Sequence, residues 1–498
     1  MYLGYNEFGE MKQHTETKQK LFKKNDAPLK VIQFGEGNFL RAFVGHTIDK
    51  LNALDGIDMG IAVVQPIEHG MIDVLEEQGG AYTLFLNGIV EGQEKQETHL
   101  IHNIVSTHNP YKDYANYLAL ARNEDLQFVI SNTTEAGIVF QQEDGFEDTP
   151  QKSFPGKLTR FLWERFQHFK GAPNSGLHFL PCELINYNAD ELKRCILAYC
   201  KHWQLEDAFV QWVEKSNYFH NTLVDRIVPG YPKDNADAYQ KQLPYEDQLM
   251  VTAEPFYLWV IEGDDRLAQK FPVHLIDLNV QLVADMQPYR TRKVRILNGA
   301  HTALVPLSIL FGHKTVSDIF SNSFTHQFLM DSVLKEIVPT LAMEKEELIA
   351  FAKAVFDRFK NPFIKHYLSS IALNSISKFK VRVLPSLLAY QEKHNQLPVH
   401  LTFAMACLLR FYKGQWKGES LPVQDDASLV AALQKAWEAP TVEQFLQTVL
   451  ANETYWGANL SANKPLMQQL NLILGQIDTM PLDQLFSEFK TQLEDQNV

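Results

Sequence analysis

Cysteine is scarce, with four in 498 residues at Cys182, Cys195, Cys200 and Cys407. None forms a C-x-x-C pair, and no thiol–imidazole spacing matches a zinc site. That excludes a disulfide framework, points to no metal site, and fits a reducing compartment. Long apolar runs are missing as well. No stretch of about 18 apolar residues occurs, so no membrane partner is expected. The lysine-rich opening, Met1 to Asp26, lacks the apolar centre of a secretory signal, so a cytoplasmic chain is expected. Positive charge is in deficit, with 46 Lys and Arg against 60 Asp and Glu, a net charge of -14. Such a field repels phosphate backbones and argues against nucleic acid as a partner. Any anionic ligand has to be met by a local cation.

What remains is an ordinary globular composition, long enough at about 100–200 residues per domain for two or three domains. Leu29-Lys30-Val31-Ile32-Gln33-Phe34 is a short, buried-strand pattern that runs into Gly35-Glu36-Gly37. Helical spacing follows at Phe39, Phe43, Thr47 and Leu51. Ile61–Val64, Phe128–Ser131 and His178–Pro181 read as further strands, with helical segments such as Leu192 to Trp203 between them. Ala81–Leu86, Asn87-Gly88 and Ile89-Val90 read as a hairpin with a type I′ turn. After about residue 290 helical periods take over. Leu348, Phe351, Ala352, Val355, Phe356 and Phe359 form an apolar stripe. Leu429–Trp437 and Val442–Leu450 look similar, and Tyr412–Asp426 reads as a loop. The expected fold is α/β: a lead-in over residues 1–27, a Rossmann-like dinucleotide-binding domain over 28–288, and a mainly α-helical domain over 289–498.

A strand that opens into glycines and then a helix suits a pyrophosphate. The first glycine permits the tight turn, the second lets the backbone approach, and the helix N-terminus offers free N–H groups. The third glycine of the usual pattern is absent, with Leu40 in its place, so a glycine turn in any βαβ unit is the alternative. No acid stands at a strand end about 20 residues on to hold a ribose. Glu68 lies just past the second strand, and no basic pocket for a 2′-phosphate follows it, which favours NAD over NADP.

Two polar clusters stand out. In Arg290–His301, Asn298 lies about 140° and His301 about 80° from Lys293 on a regular helix, so all three share one side. Carbonyl reduction needs a proton donor and polar donors around the developing alkoxide. A lysine, an asparagine amide and a hydroxyl-binding histidine supply these. A basic, solvated helix start with an ordinary histidine is the alternative. In Asn217–Pro229, Asn221 offers a second amide, whereas Asp225 and Arg226 suit an ion-paired turn.

At these residues the sequence resembles the polyol-specific long-chain dehydrogenases, the mannitol dehydrogenase family. Lys293-x-x-x-x-Asn298-x-x-His301 matches the family's catalytic signature. Gly35, Gly37, Phe39, Arg41 and Ala42 match its N-terminal turn. Asn221, Val224, Asp225, Arg226, Ile227 and Pro229 match a third motif, and Glu254, Pro255, Phe256, Trp259, Ile261 and Glu262 a fourth. The resemblance implies a metal-independent, NAD-dependent enzyme. Lys293 would be general acid/base, Asn221 and Asn298 an oxyanion hole, and His301 and Glu262 substrate contacts. Phe34, Gly35, Glu36, Gly37, Asn38, Phe39, Arg41, Asn132, Thr133 and Glu135 would hold the coenzyme. Two positions depart from the pattern: Phe43 replaces a frequent histidine, and Gly263 a frequent aspartate.

Within the family, Phe34–Phe43 and Ser131–Gly137 are most similar to the branch that interconverts a keto-sugar acid and a hexonate in hexuronate catabolism. The carboxylate of such a small-molecule substrate needs a cation, and Lys378 and Arg382 are the candidates. A neutral polyol dehydrogenase, a mannonate oxidoreductase and a non-catalytic NAD-binding regulator are the alternatives. A regulator has no need for a proton donor such as Lys293. A monomer or small homo-oligomer is expected.

Overall fold

The computed structural model describes residues 25–134, 136–363 and 366–495. Most of the lead-in and Glu135 therefore lie outside the described residues. The chain forms two compact units, and the division is not a single cut. The first unit runs to Leu86 and takes Glu97–Ala253 and Tyr257–Leu282. The second takes Asn87–Gln96, Glu254–Phe256 and the chain from Val283 onward.

The first unit is built on a sheet of six strands: β1 (Leu29–Phe34), β2 (Gly60–Val64), β3 (Ile104–His108), β4 (Phe128–Ser131), β5 (His178–Pro181) and β6 (Tyr218–Phe219). Their spatial order is β3-β2-β1-β4-β5-β6, and every pairing is parallel. This is the doubly wound dinucleotide-binding order, with its direction reversing between β1 and β4. Side chains alternate between two cores, as a two-sided sheet requires. Val31, Ile61, Val63, Phe128 and Ile130 pack on one face, and Ile32, Ala62, Val64, Val129 and Phe179 on the other. Helices Phe154–His168, Asn188–His202 and Asp207–Ser216 cover the second face, and Cys195 and Cys200 are buried there.

The hairpin expected at Asn87-Gly88 turns further on. Strand Tyr82–Val90 continues through both residues, and the next strand is Gln93–Ile101. The turn is Glu91-Gly92, whose φ values of 52° and 75° are the type I′ geometry. Gly88 is required for another reason. A Cβ there would lie 2.6 Å from Pro255 Cδ and 3.0 Å from Asn361 Nδ2.

The second unit is helical. Lys345–Lys360 buries Leu348, Phe351, Ala352, Val355, Phe356 and Phe359, the whole expected stripe. Helices Ala427–Ala436 and Val442–Leu450 form as expected, and the Tyr412–Asp426 loop carries a small hairpin, Gln415–Trp416 with Glu419–Ser420. A buried pair braces the unit: Arg358 Nη2 lies 2.8 Å from Glu254 Oε1, with Arg358 Nε donating to Glu254 Oε2 at 3.0 Å. Gln287–Phe311 is long and apolar enough to cross a bilayer, but 67% of its apolar window is buried inside the protein, and core helices satisfy the same criterion.

Candidate active site

At the end of β1, Phe34 is buried and Gly35 has φ +120°, a conformation that favours glycine. Its N–H donates to Val64 O at 3.0 Å, tying the turn to β2. A Cβ on Gly35 would approach Asn132 O at 3.3 Å, so the ends of β1 and β4 meet here, at the reversal point. Gly37 differs. Its φ is -66°, and nothing lies within 4 Å of where its Cβ would be. No side chain caps the helical run that begins at Asn38, so its first N–H groups stay open. An open glycine before uncapped N–H groups fits a pyrophosphate.

The residues beneath the turn hold it. Arg41 is buried and donates to Glu36 O at 3.2 Å, to Asn38 Oδ1 at 2.8 Å and to Leu249 O. Glu36 accepts from Met71 N at 3.3 Å, and burial raises its carboxyl pKa. Phe39 stacks on Phe43 at 4.8 Å, and Phe43 on Tyr257 at 4.2 Å. A ring in that stack therefore replaces the family's frequent histidine. Arg226 donates to Ala42 O at 2.8 Å and lies 3.0 Å from His46 Nδ1, fastening the same helix. Glu68 is exposed beyond β2, its carbonyl held by Gln65 Nε2 at 3.0 Å.

At the end of β4, Asn132 Nδ2 donates to Cys182 O at 2.7 Å. Thr133 donates through both its backbone N–H, at 2.9 Å, and its hydroxyl, at 3.0 Å, to Glu183 Oε1. Nothing in the sequence marked Glu183, since its partners are about 50 residues away and become neighbours only through the parallel pairing of β4 and β5.

Asn221 is buried and fully engaged. Its Oδ1 accepts from Ala189 N at 3.0 Å and Asp190 N at 3.2 Å, while its Nδ2 donates to Asp190 Oδ2 at 3.0 Å and Glu262 Oε2 at 2.9 Å. The first two bonds satisfy N–H groups at the start of helix Asn188–His202. The two expected residues Asn221 and Glu262 are thus in direct contact. At Gly263, the position that departs from the family pattern, a Cβ would lie 2.6 Å from Leu267 Cδ2, so a side chain there would displace the tip of that leucine. The next acid, Asp264, caps helix Asp265–Lys270.

In the second unit, Lys293–Asn298 forms a π turn between regular helix at Gln287–Arg292 and Gly299–Phe311. Hydrogen bonds from i to i+5 bring residues five apart nearly into line. Lys293 and Asn298 therefore share a face more closely than a regular helix allows, and His301 returns to that side three residues later. Lys293 and Asn298 are half-buried, and the Asn298 amide makes no hydrogen bond to another described side chain or backbone group. Arg292 is buried and paired with Glu347, and Arg295 Nε donates to Ser386 Oγ at 2.7 Å. Burial lowers the Arg295 pKa to about 10.

His301 stacks on Phe359 at 4.0 Å and meets His366 edge-on at 5.0 Å, with Nε2 buried and unpartnered among the described residues. Its pKa is held well below the usual value, by burial first and then by His366, Arg358, Arg382 and Lys378. Lys378 and Arg382, on helix Ser375–Arg382, are thus close enough for their charge to be felt at His301. Lys378 Nζ donates to Ile371 O at 3.0 Å, which leaves two of its protons uncommitted. His366 belongs to this cluster without any mark in the sequence, since only the fold brings it beside His301. Among the described residues no three His, Cys, Asp or Glu side chains gather as a metal site would need.

Two family models match this chain: the mannitol dehydrogenase Rossmann domain over residues 29–275 and the mannitol dehydrogenase C-terminal domain over 285–478. The chain is 46% identical over 449 residues to the altronate oxidoreductase of Yersinia enterocolitica, covering 89% of this chain and 93% of that one. It is 44% identical over 449 residues to that of Escherichia coli, with the same coverage. Among solved structures it resembles a D-sorbitol dehydrogenase in substrate-free form, with TM-score 0.78, 20% identity, and coverage of 94% and 96%. It also resembles the Pseudomonas fluorescens mannitol 2-dehydrogenase in ternary complex with NAD and D-mannitol, with TM-score 0.66, 19% identity, and coverage of 96% and 97%. The chain belongs to the mannitol dehydrogenase family.

Proposed function

We propose that this protein is an NAD-dependent tagaturonate reductase, interconverting D-tagaturonate and D-altronate in hexuronate catabolism. The observation that carries the substrate is the 46% identity to an altronate oxidoreductase along 89% of the chain. Bound NAD supplies or accepts the hydride. Lys293 gives the substrate oxygen its proton in reduction and removes it in oxidation. Asn298 donates to the developing alkoxide, and its uncommitted amide is free to do so. The family resemblance assigns Asn221 the second amide of the oxyanion hole. His301 and Glu262 take substrate hydroxyls, and Lys378 or Arg382 meets the carboxylate that the chain's net negative charge otherwise repels.

Phe34–Phe39, Asn132 and Thr133 form the coenzyme seat, with Arg41 holding the turn from beneath and Glu135 assigned to the seat from sequence alone. We assign residues 28–288 to the coenzyme half and 289–498 to the substrate half. The enzyme is placed in the cytoplasm, as a monomer or small homo-oligomer. The test is NADH oxidation with D-tagaturonate and chromatography of the product. Altronate formed in step with NADH loss supports the assignment, and no NADH loss on any keto-sugar acid refutes it.

A further inference from the structure

Glu183 is a buried carboxylate without a cation. It is 2% exposed and stands at the end of β5, beside the point where strand order reverses. Oε2 accepts from Ser131 Oγ at 3.1 Å, and Oε1 from Thr133 N at 2.9 Å and Thr133 Oγ1 at 3.0 Å. No Lys, Arg or His pairs with it among the described residues. Burial raises its pKa above the usual carboxylate range, and these three donors, which favour the ionised form, hold that rise back. An isolated buried charge is costly and needs a reason to persist.

We propose that Glu183 is a positioning residue that sets the Thr133 hydroxyl toward the coenzyme and, as an uncompensated negative charge, favours the oxidised coenzyme over the reduced one. The proposal rests on the NAD reading above. Because the Thr133 hydroxyl spends its proton on Glu183, only its lone pairs remain to face outward. Thr133 is therefore an acceptor, suited to a ribose hydroxyl or a carboxamide N–H.

The charge argument follows from the strand order. In a doubly wound sheet each half takes one nucleotide, and the glycine turn on β1 commits the first half, β1 to β3, to the adenosine side. The nicotinamide side falls to β4–β6, where Glu183 lies. The oxidised ring carries a positive charge that the reduced ring lacks. A carboxylate beneath that half attracts the oxidised form and leaves the neutral ring indifferent.

Glu183→Gln removes the charge and keeps the shape. Its amide oxygen can accept from Thr133, and its NH2 can donate to Ser131 Oγ. The experiment measures dissociation constants of NAD+ by calorimetry and of NADH by fluorescence, in the full chain without substrate. Glu183→Gln should shift the affinity ratio toward NADH by roughly 5- to 20-fold, the scale of a unit charge about 10 Å away at an effective dielectric near 20. Glu183→Asp keeps the charge and should hold the ratio within about 2-fold while weakening both coenzymes, as should Thr133→Val. Equal changes for both coenzymes in Glu183→Gln, or a ratio shift in Glu183→Asp, would overturn the charge role. A wild-type chain that binds neither coenzyme would overturn the NAD reading itself, and this proposal with it.

Discussion

The glycine turn after Phe34 and the π turn from Lys293 both interrupt regular structure at the proposed coenzyme seat and catalytic cluster, but the interruptions are encoded differently. At the first, the cause is a residue type. Gly35 adopts a φ of +120° that other residues resist, and Gly37 leaves open space. At the second, Lys293-Val294-Arg295-Ile296-Leu297-Asn298 contains no glycine or proline, and the widened turn leaves no mark in composition. The first presents backbone N–H groups, so the sequence has to empty a space. The second presents side chains, so it is enough to rotate them into line. A seat made of backbone is written in what is missing, and a site made of side chains in what is spaced.

That contrast can be broken at the π turn, where the effects are largest. Lys293→Ala should lower turnover by about 10²- to 10⁴-fold with NADH affinity unchanged, the usual scale for loss of a general acid/base. Steady-state rates with fluorescence binding check this, and wild-type turnover would remove Lys293 from the reaction.

The two asparagines sharpen the comparison. Asn298→Ala should cost roughly 10²- to 10³-fold in kcat, as for one oxyanion donor, and leave thermal stability nearly intact. Asn221→Ala should slow the reaction too, but it also strips N–H partners from a helix start and leaves two carboxylates short of a donor. It should therefore lower stability by about 1–3 kcal/mol in thermal or urea unfolding. Equal stability in the two variants would contradict the bonding described for Asn221.

Lys378→Met or Arg382→Met should depress tagaturonate reduction by about 10- to 150-fold in kcat/KM and spare fructose, because a charge-assisted bond to a carboxylate is worth ~1.5–3 kcal/mol. Equal losses on both substrates would mean the residue supports the fold. At the glycine turn the effects should be smaller and divided. Gly35→Ala should destabilise the protein by about 1–3 kcal/mol through its backbone conformation. Gly37→Val should leave stability alone and weaken coenzyme binding by roughly 10-fold or more, since one lost phosphate hydrogen bond is worth ~1.5 kcal/mol or more. The smallest effect is expected from chelators, which should leave activity unchanged if, as proposed, Lys293 takes the proton-transfer role.

Periodicity made most of the framework legible. The strands at Ile61–Val64 and Phe128–Ser131 and the stripe on Lys345–Lys360 follow from alternation and from helical spacing, which depend on near neighbours alone. Asn-Gly is favoured in type I′ turns and so points to a hairpin at Asn87-Gly88, whereas here Gly88 answers to Pro255 and Asn361, contacts that no local pattern reveals. The same limit applies within the site. Lys293, Asn298 and His301 lie close in sequence and were legible together. The ties of Asn221 to Asp190 and Glu262, of Thr133 to Glu183 and of His301 to His366 join residues tens of positions apart.

The most direct test of the central claim is the ratio of kcat/KM for D-tagaturonate over D-fructose with NADH, measured side by side on the wild-type chain. A charge-assisted contact to the carboxylate predicts a ratio of at least about 10. A ratio of one or below would contradict the sugar-acid assignment and return the chain to the neutral polyol dehydrogenases.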